Sequence, residues 1–156
     1  MNGIVLACAV GIGLVAGLRS LLAPAAVSWA AHLGWLHLQG TSVGFMGSKV
    51  ALITFSLLAI GELIGDKLPR VPKRTAIAPL LVRMITGGLC GACLCASANQ
   101  SLGIGTILGA IGAVIGAFAG YEMRKRLVAQ LKVPDFFIAL PEDLIAMSLA
   151  WFLVSR

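Results

Sequence analysis

Charge is what this sequence has least of. Asp and Glu number six and Lys and Arg twelve, so 12% of the 156 residues are charged, against roughly 25% in soluble domains. With 59% hydrophobic residues and a mean hydropathy of +0.99, an ordinary soluble core is excluded. A chain this short cannot bury so much apolar surface in its own interior, and lipid must cover the rest. Catalytic chemistry is scarce too. There is one Tyr and there are two His, and no nucleotide-binding loop, Ser-His-Asp set or zinc-protease helix is present. Enzymatic work would have to fall to intramembrane carboxylates acting on a lipid-linked substrate. We expect no enzyme and no cofactor. The net charge of +6 and pI near 9.6 come from two short basic clusters between apolar runs, a topological pattern rather than a nucleic-acid surface. No basic residue precedes the first apolar run, so a retained first helix is expected rather than a cleaved leader, despite the lipobox-like Val5-Leu6-Ala7-Cys8.

The few metal-capable residues are better explained by packing. Cys90, Cys93 and Cys95 lie within one apolar run and Cys8 within another; cysteine behaves there as a small hydrophobe. His32 and His37 are five apart, beside Trp29 and Trp35. That spacing does not share a helix face, and the tryptophans suit an interfacial belt. No metal site is expected.

What is present is a series of apolar runs of spanning length. They cover about 3–31, 49–65, 76–98, 103–123 and 136–154. The basic residues alternate between the connections. Residues 32–48 and 99–102 hold no Lys or Arg, whereas 66–75 hold Lys67, Arg70, Lys73 and Arg74, and 124–134 hold Arg124, Lys125, Arg126 and Lys132. The positive-inside rule then gives five spans, with the N-terminus and the basic loops cytoplasmic and the C-terminus outside. Two spans carry interruptions. Pro24 removes a helix hydrogen bond in the first, making it a kinked helix or two shorter pieces. Pro141-Glu142-Asp143 in the last resembles a helix start, so that helix is expected either to run through or to begin at Pro141.

Glycine is plentiful, at 19 residues, and its spacing predicts how the helices meet. Gly105, Gly109, Gly112, Gly116 and Gly120 advance by threes and fours, which places them on one helix face. Gly13/Gly17, Gly61/Gly65 and Gly87/Gly91 repeat the small-xxx-small spacing that lets helix backbones approach in lipid. The expected fold is an all-α integral membrane protein: one domain over 1–156, a compact bundle of about five transmembrane helices. A weak internal repeat joins two-helix units at about 10–65 and 76–123, each with an early Arg and a late Gly-Glu, followed by a last helix at about 136–154.

Charges inside spans cost at least a few kcal/mol at the bilayer centre and usually face a bundle interior or a wet cavity. The candidates are Arg19, Glu62, Arg83, Glu142 and Asp143, with Asp66 and Lys67 just beyond the second span. Arg83 lies about 10 Å into its helix at 1.5 Å per residue. It is expected to pair with Glu142, Asp143 or Glu62, because a buried guanidinium is best held by carboxylates. Arg19 is expected deeper, beside Pro24. These residues would line a pathway, or they would fasten the helices together.

Four elements also resemble those of a family of small bacterial membrane proteins known only as a domain of unknown function. They are Ala16-Gly17-Leu18-Arg19-Ser20 with Pro24, Glu62-Leu63-Ile64-Gly65-Asp66-Lys67-Leu68-Pro69, Arg83 with Gly87-Gly88, and Leu140-Pro141-Glu142-Asp143. The resemblance covers nearly the whole chain in order. It departs where Arg19 replaces a small polar residue and where Arg83 lacks a following proline. It implies a bacterial inner-membrane location and supports the choice of polar residues, and it implies no activity. The function expected is that of a small transporter or channel subunit for a solute or ion, working as a homo-oligomer, with a non-transporting scaffold as the alternative.

Overall fold

The computed structural model describes residues 3–65, 76–131 and 135–155, with backbone alone at 135 and 136. The described residues form six α-helices and no strand: α1 Gly3–Leu18, α2 Leu22–His32, α3 Lys49–Gly65, α4 Ile77–Ser97, α5 Leu102–Leu131 and α6 Asp135–Val154, with a single 3-10 turn at Gly44–Gly47. Three of them, α4, α5 and α6, are long and apolar enough to cross a membrane by length and composition.

The centre of the bundle is a seam of α1, α4 and α5, and glycine is the reason it forms. Side chains normally hold helix axes 8–10 Å apart. Here the backbones touch. A methyl group at Gly13 would overlap the Gly109 carbonyl, one at Gly91 the Gly105 carbonyl, and one at Gly116 the Leu14 carbonyl. All five glycines of the α5 face are buried, as the spacing predicts. The cysteines belong to the same seam: Cys90, Cys93 and Cys95 are buried in α4, and Cys95 packs against Gly105. Helix α6 lies along α1, with Leu153 against Gly11. Helix α3 is peripheral, burying only Ala51 and Ala59 and leaning on α2 through a 3.0 Å bond from Trp29 Nε1 to Ser56 Oγ.

Gly61 and Gly65 are the exception to the glycine rule, since a Cβ at either would meet nothing within 4 Å. Gly61→Ala is therefore expected to stabilise the chain by about 0.5–1 kcal/mol, the usual helix-interior gain. Denaturant-induced unfolding in micelles would show it as a raised midpoint.

The first apolar run forms two shorter pieces, one of the two forms expected of it, rather than one kinked helix. The helix stops at Leu18 and restarts at Leu22, and the chain turns back. Ile4 and Val5 of α1 line a small cavity of about 200 Å³ with Trp35 and Leu36, Ser97 and Ala98 from the end of α4, and Leu153 and Val154 from the end of α6. Trp35 and Trp151 stack edge to face there, their centroids 4.9 Å apart. So α1 enters from this end and α2 returns to it, forming a re-entrant hairpin with its tip at 19–21. Both ends of the described chain thus lie at one end of the bundle, where the sequence predicts opposite sides. The physical reason is length and chemistry together. Sixteen residues of α1 rise about 24 Å, short of the ~30 Å apolar layer. Pro24 then crowds the carbonyl of the residue four before it, which is Ser20, inside the break. Pro24 itself sits in the first turn of α2, where its missing N–H costs nothing.

Of the two forms expected of the last helix, α6 takes the continuous one, running unbroken through Pro141; one lost backbone bond is tolerable in a helix packed among others. One further boundary differs. Helix α5 continues to Leu131, so 124–131 is helix and not loop. Arg126 Nε donates to Glu122 Oε1 at 2.9 Å across one turn of this extension. The four basic residues of 66–75 and Lys132 lie outside the described residues.

Candidate functional site

The unwound tip at Arg19-Ser20-Leu21 is where charged side chains from several helices gather. A helix break leaves carbonyls without partners at the end of one helix and amides without partners at the start of the next. Buried in a bundle, each such group costs free energy unless it is met.

The break is met from three helices. Glu62, near the end of α3, accepts three bonds at the start of α2: from Ser20 N at 2.8 Å, from Ser20 Oγ at 2.6 Å and from Leu21 N at 2.8 Å. An acidic cap at a helix N-terminus also opposes the helix dipole. On the other side of the break, Arg83 of α4 donates from Nη1 to the carbonyl of Gly17, at the end of α1, placing a cation at a helix C-terminus as the dipole favours. Gly17 is pressed against α5, so that a Cβ there would overlap Ala113. Between the two ends, Arg19 points into α6. Its Nε donates to Asp143 Oδ1 at 2.7 Å, and Nη2 meets the same carboxylate oxygen. Arg19 is 1% exposed and Asp143 7%, so this is a buried ion pair between the hairpin tip and α6.

Measured against the sequence expectations, the placement of the charges is partly different. Glu62, Arg83 and Asp143 all reach the break beside Arg19. Arg19 lies level with Asp143 rather than deeper. Arg83 meets the Gly17 carbonyl, Asp143 meets Arg19, Glu62 meets the tip amides, and Glu142 stands 3.7 Å from Arg124 of α5. Asp66 and Lys67 fall outside the described residues. Three participants were not anticipated from sequence. Ser20 carries a signal, because Pro24 four residues on marks its carbonyl as the one the ring displaces. Arg124 looks like one more topological charge, and only the extension of α5 turns it toward Glu142. The Gly17 carbonyl has no sequence signal at all. Among the described residues, no three His, Cys, Asp or Glu side chains gather to hold a metal.

The arrangement can do two kinds of chemistry. It can hold a hairpin at depth by matching each helix end with opposite charge. It can also present carboxylates and guanidinium groups at the only unwound backbone within the apolar run 3–31. Six packed helices, three of membrane-spanning length, around a charged helix break define a helical membrane-type protein. The chain belongs to the family described as a domain of unknown function (DUF4126), whose model matches residues 6–155. No curated protein and no solved structure matches the chain.

Proposed function

We propose that this is a small polytopic membrane protein whose re-entrant hairpin α1–α2 forms the working element of a transporter or channel subunit for a small solute or ion. The observation that carries the reading is the unwound tip at 19–21, ringed by Arg19, Glu62, Arg83 and Asp143. Irregular backbone at membrane depth occurs where it is buried in protein or lines an aqueous cavity, and broken helices whose ends face ions or substrates are a recurrent transporter device. In this reading α3, α4, α5 and α6 cross the bilayer. The basic segments 66–75 and 124–134 are cytoplasmic by the positive-inside rule. The N-terminus, residues 33–48 and the C-terminus are then all external, the reverse of the sequence expectation for the N-terminus. Four crossings and a hairpin enclose little space, so the pathway belongs to a homo-oligomer. The role is not enzymatic.

A second reading rests on the same contacts. Each charged group at the tip meets a protein partner, which is also what a scaffold needs to lock its helices. Flux decides between them. Purified chain in liposomes is expected to pass small ions above the protein-free rate, and Glu62→Gln, which keeps one of the two acceptor oxygens that the tip N–H groups use, is expected to alter that rate while the protein stays folded. Wild-type flux equal to that of empty liposomes, with Glu62→Gln lowering only the unfolding midpoint, would establish the scaffold.

A further inference from the structure

The polar side chains of α4 are not scattered. Arg83, Thr86, Cys90, Cys93 and Ser97 advance by three, four, three and four, so they share one face. Gly87, Gly91 and Cys95, which meet α5, advance by fours on a different face. The polar stripe begins at the hairpin tip, where Arg83 meets the Gly17 carbonyl. It ends at the other end of the bundle, where Ser97 accepts a 3.0 Å bond from His37 N and lines the cavity beside Trp35. From Arg83 to Ser97 the helix rises about 21 Å, and Thr86, Cys90 and Cys93 are buried along the way.

Other helices meet this stripe at matching depth. Both arms of the hairpin, α1 and α2, pack against α4 and against α6. Helix α6 contributes Asp143, Ala146 and Ala150, all buried and again three and four apart, so small side chains lead away from the Arg19–Asp143 pair. Helix α2 contributes Ser28. It lies seven residues beyond Leu21, as Cys90 lies seven beyond Arg83, so both stand about 10 Å from the tip. Ser28 is fully buried, and its Oγ has no hydrogen-bond partner. A buried hydroxyl left unmatched costs free energy, and ordered water is what commonly meets such a group. Ile12 and Val27 pack into the same core, so the structure holds this column closed.

We infer that the column is the outward arm of the pathway. It is a route for water and small monovalent ions from the hairpin tip to the end of the bundle that carries Trp35 and Trp151, with Thr86, Cys90, Cys93 and Ser28 as its polar lining. The inference rests on the pathway reading of the tip. Hydroxyl and thiol groups suit the task. They carry no fixed charge to trap an ion, yet they offer lone pairs that replace its water in a narrow bore.

Three cysteines of one helix make the test. Cys90, Cys93 and Cys95 are equally buried, at 0%, but only the first two lie on the stripe, whereas Cys95 packs against Gly105. The chain in proteoliposomes is exposed to aminoethyl methanethiosulfonate, a small thiol-reactive cation, and the modified sites are mapped over time by tandem mass spectrometry. Reaction needs access and a thiolate, which water in the column supplies, so Cys93 and then Cys90 are expected to react about ten-fold faster than Cys95. Ser28→Cys is expected to react at the rate of Cys90. Equal rates at the three native cysteines overturn the inference: equally fast means that the bundle opens as a whole, and equally unreactive means that the column is dry packing. Ion flux in the same vesicles separates the two claims. Selective reaction without flux keeps the wet column and overturns the pathway reading. Flux with Cys90 and Cys93 unreactive overturns the route alone and puts the pathway elsewhere.

Discussion

Asp143→Ala is expected to cost the folded bundle about 3–5 kcal/mol, the range for removing one member of a buried ion pair. The loss is large because of what remains. Arg19 would stay 99% buried at the tip of a hairpin fixed to α5 by Gly17 and to α3 by Glu62, with the Asp143 carboxylate gone. Arg19→Ala should cost a similar amount by leaving Asp143 charged and unmatched. The double replacement Arg19→Met with Asp143→Leu, which keeps volume and removes both charges, is expected to recover most of the stability, since buried pairs replaced together are often neutral. Reversible unfolding in mixed micelles, followed by far-UV circular dichroism for the four proteins, forms a double-mutant cycle. Additive single effects would show that the two side chains do not meet. Flux adds a second axis: a double variant that folds but conducts nothing would give the pair a role in the pathway beyond fastening the tip.

How much of this was legible beforehand follows from which forces are local. Helices α3 and α4 fall within a residue of their apolar runs, because the length of an apolar run directly sets a spanning helix. The face of α5 was legible from the spacing of Gly105 to Gly120, because helical periodicity is local too. The hairpin was not. Pro24 announces an interruption, but whether the chain continues across or turns back depends on what meets the freed backbone of Ser20 and Leu21. That partner is Glu62, more than forty residues away. The same limit applies to the contacts at the break. Sequence depth put Arg83 and three carboxylates at similar levels, yet it could not know that α1 ends beside Arg83 and offers it a carbonyl, or that the turn swings Arg19 toward α6. Arg124 was misjudged for a different reason: charge density read as loop, whereas Glu122 and Arg126, four apart, support a helix.

Gly109→Ala is expected to be among the most damaging of small substitutions, although alanine is the better helix former by about 1 kcal/mol. Gly109 faces two helices at once. Its added methyl would overlap the Gly87 carbonyl of α4 and lie 3.2 Å from Gly88 Cα, while its own carbonyl is the atom that a methyl at Gly13 of α1 would strike. These neighbours are backbone, so no rotamer change relieves the clash, and the helices must separate. Overpacking in a tight core costs typically about 1–3 kcal/mol. The upper part of that range applies here, because separation also forfeits dispersion contacts along α1 and α4, and in lipid those contacts supply much of the drive for helices to associate. The net change expected is a loss of about 1–2 kcal/mol for alanine after the propensity gain, and failure to fold for Gly109→Leu. The sign is the informative part. The same replacement at Gly61, where nothing stands within 4 Å, is expected to raise the unfolding midpoint. Two glycine-to-alanine changes with opposite signs in one titration would locate the seam in α1, α4 and α5. Stabilisation at both positions would show that the three helices stand further apart than their glycines allow.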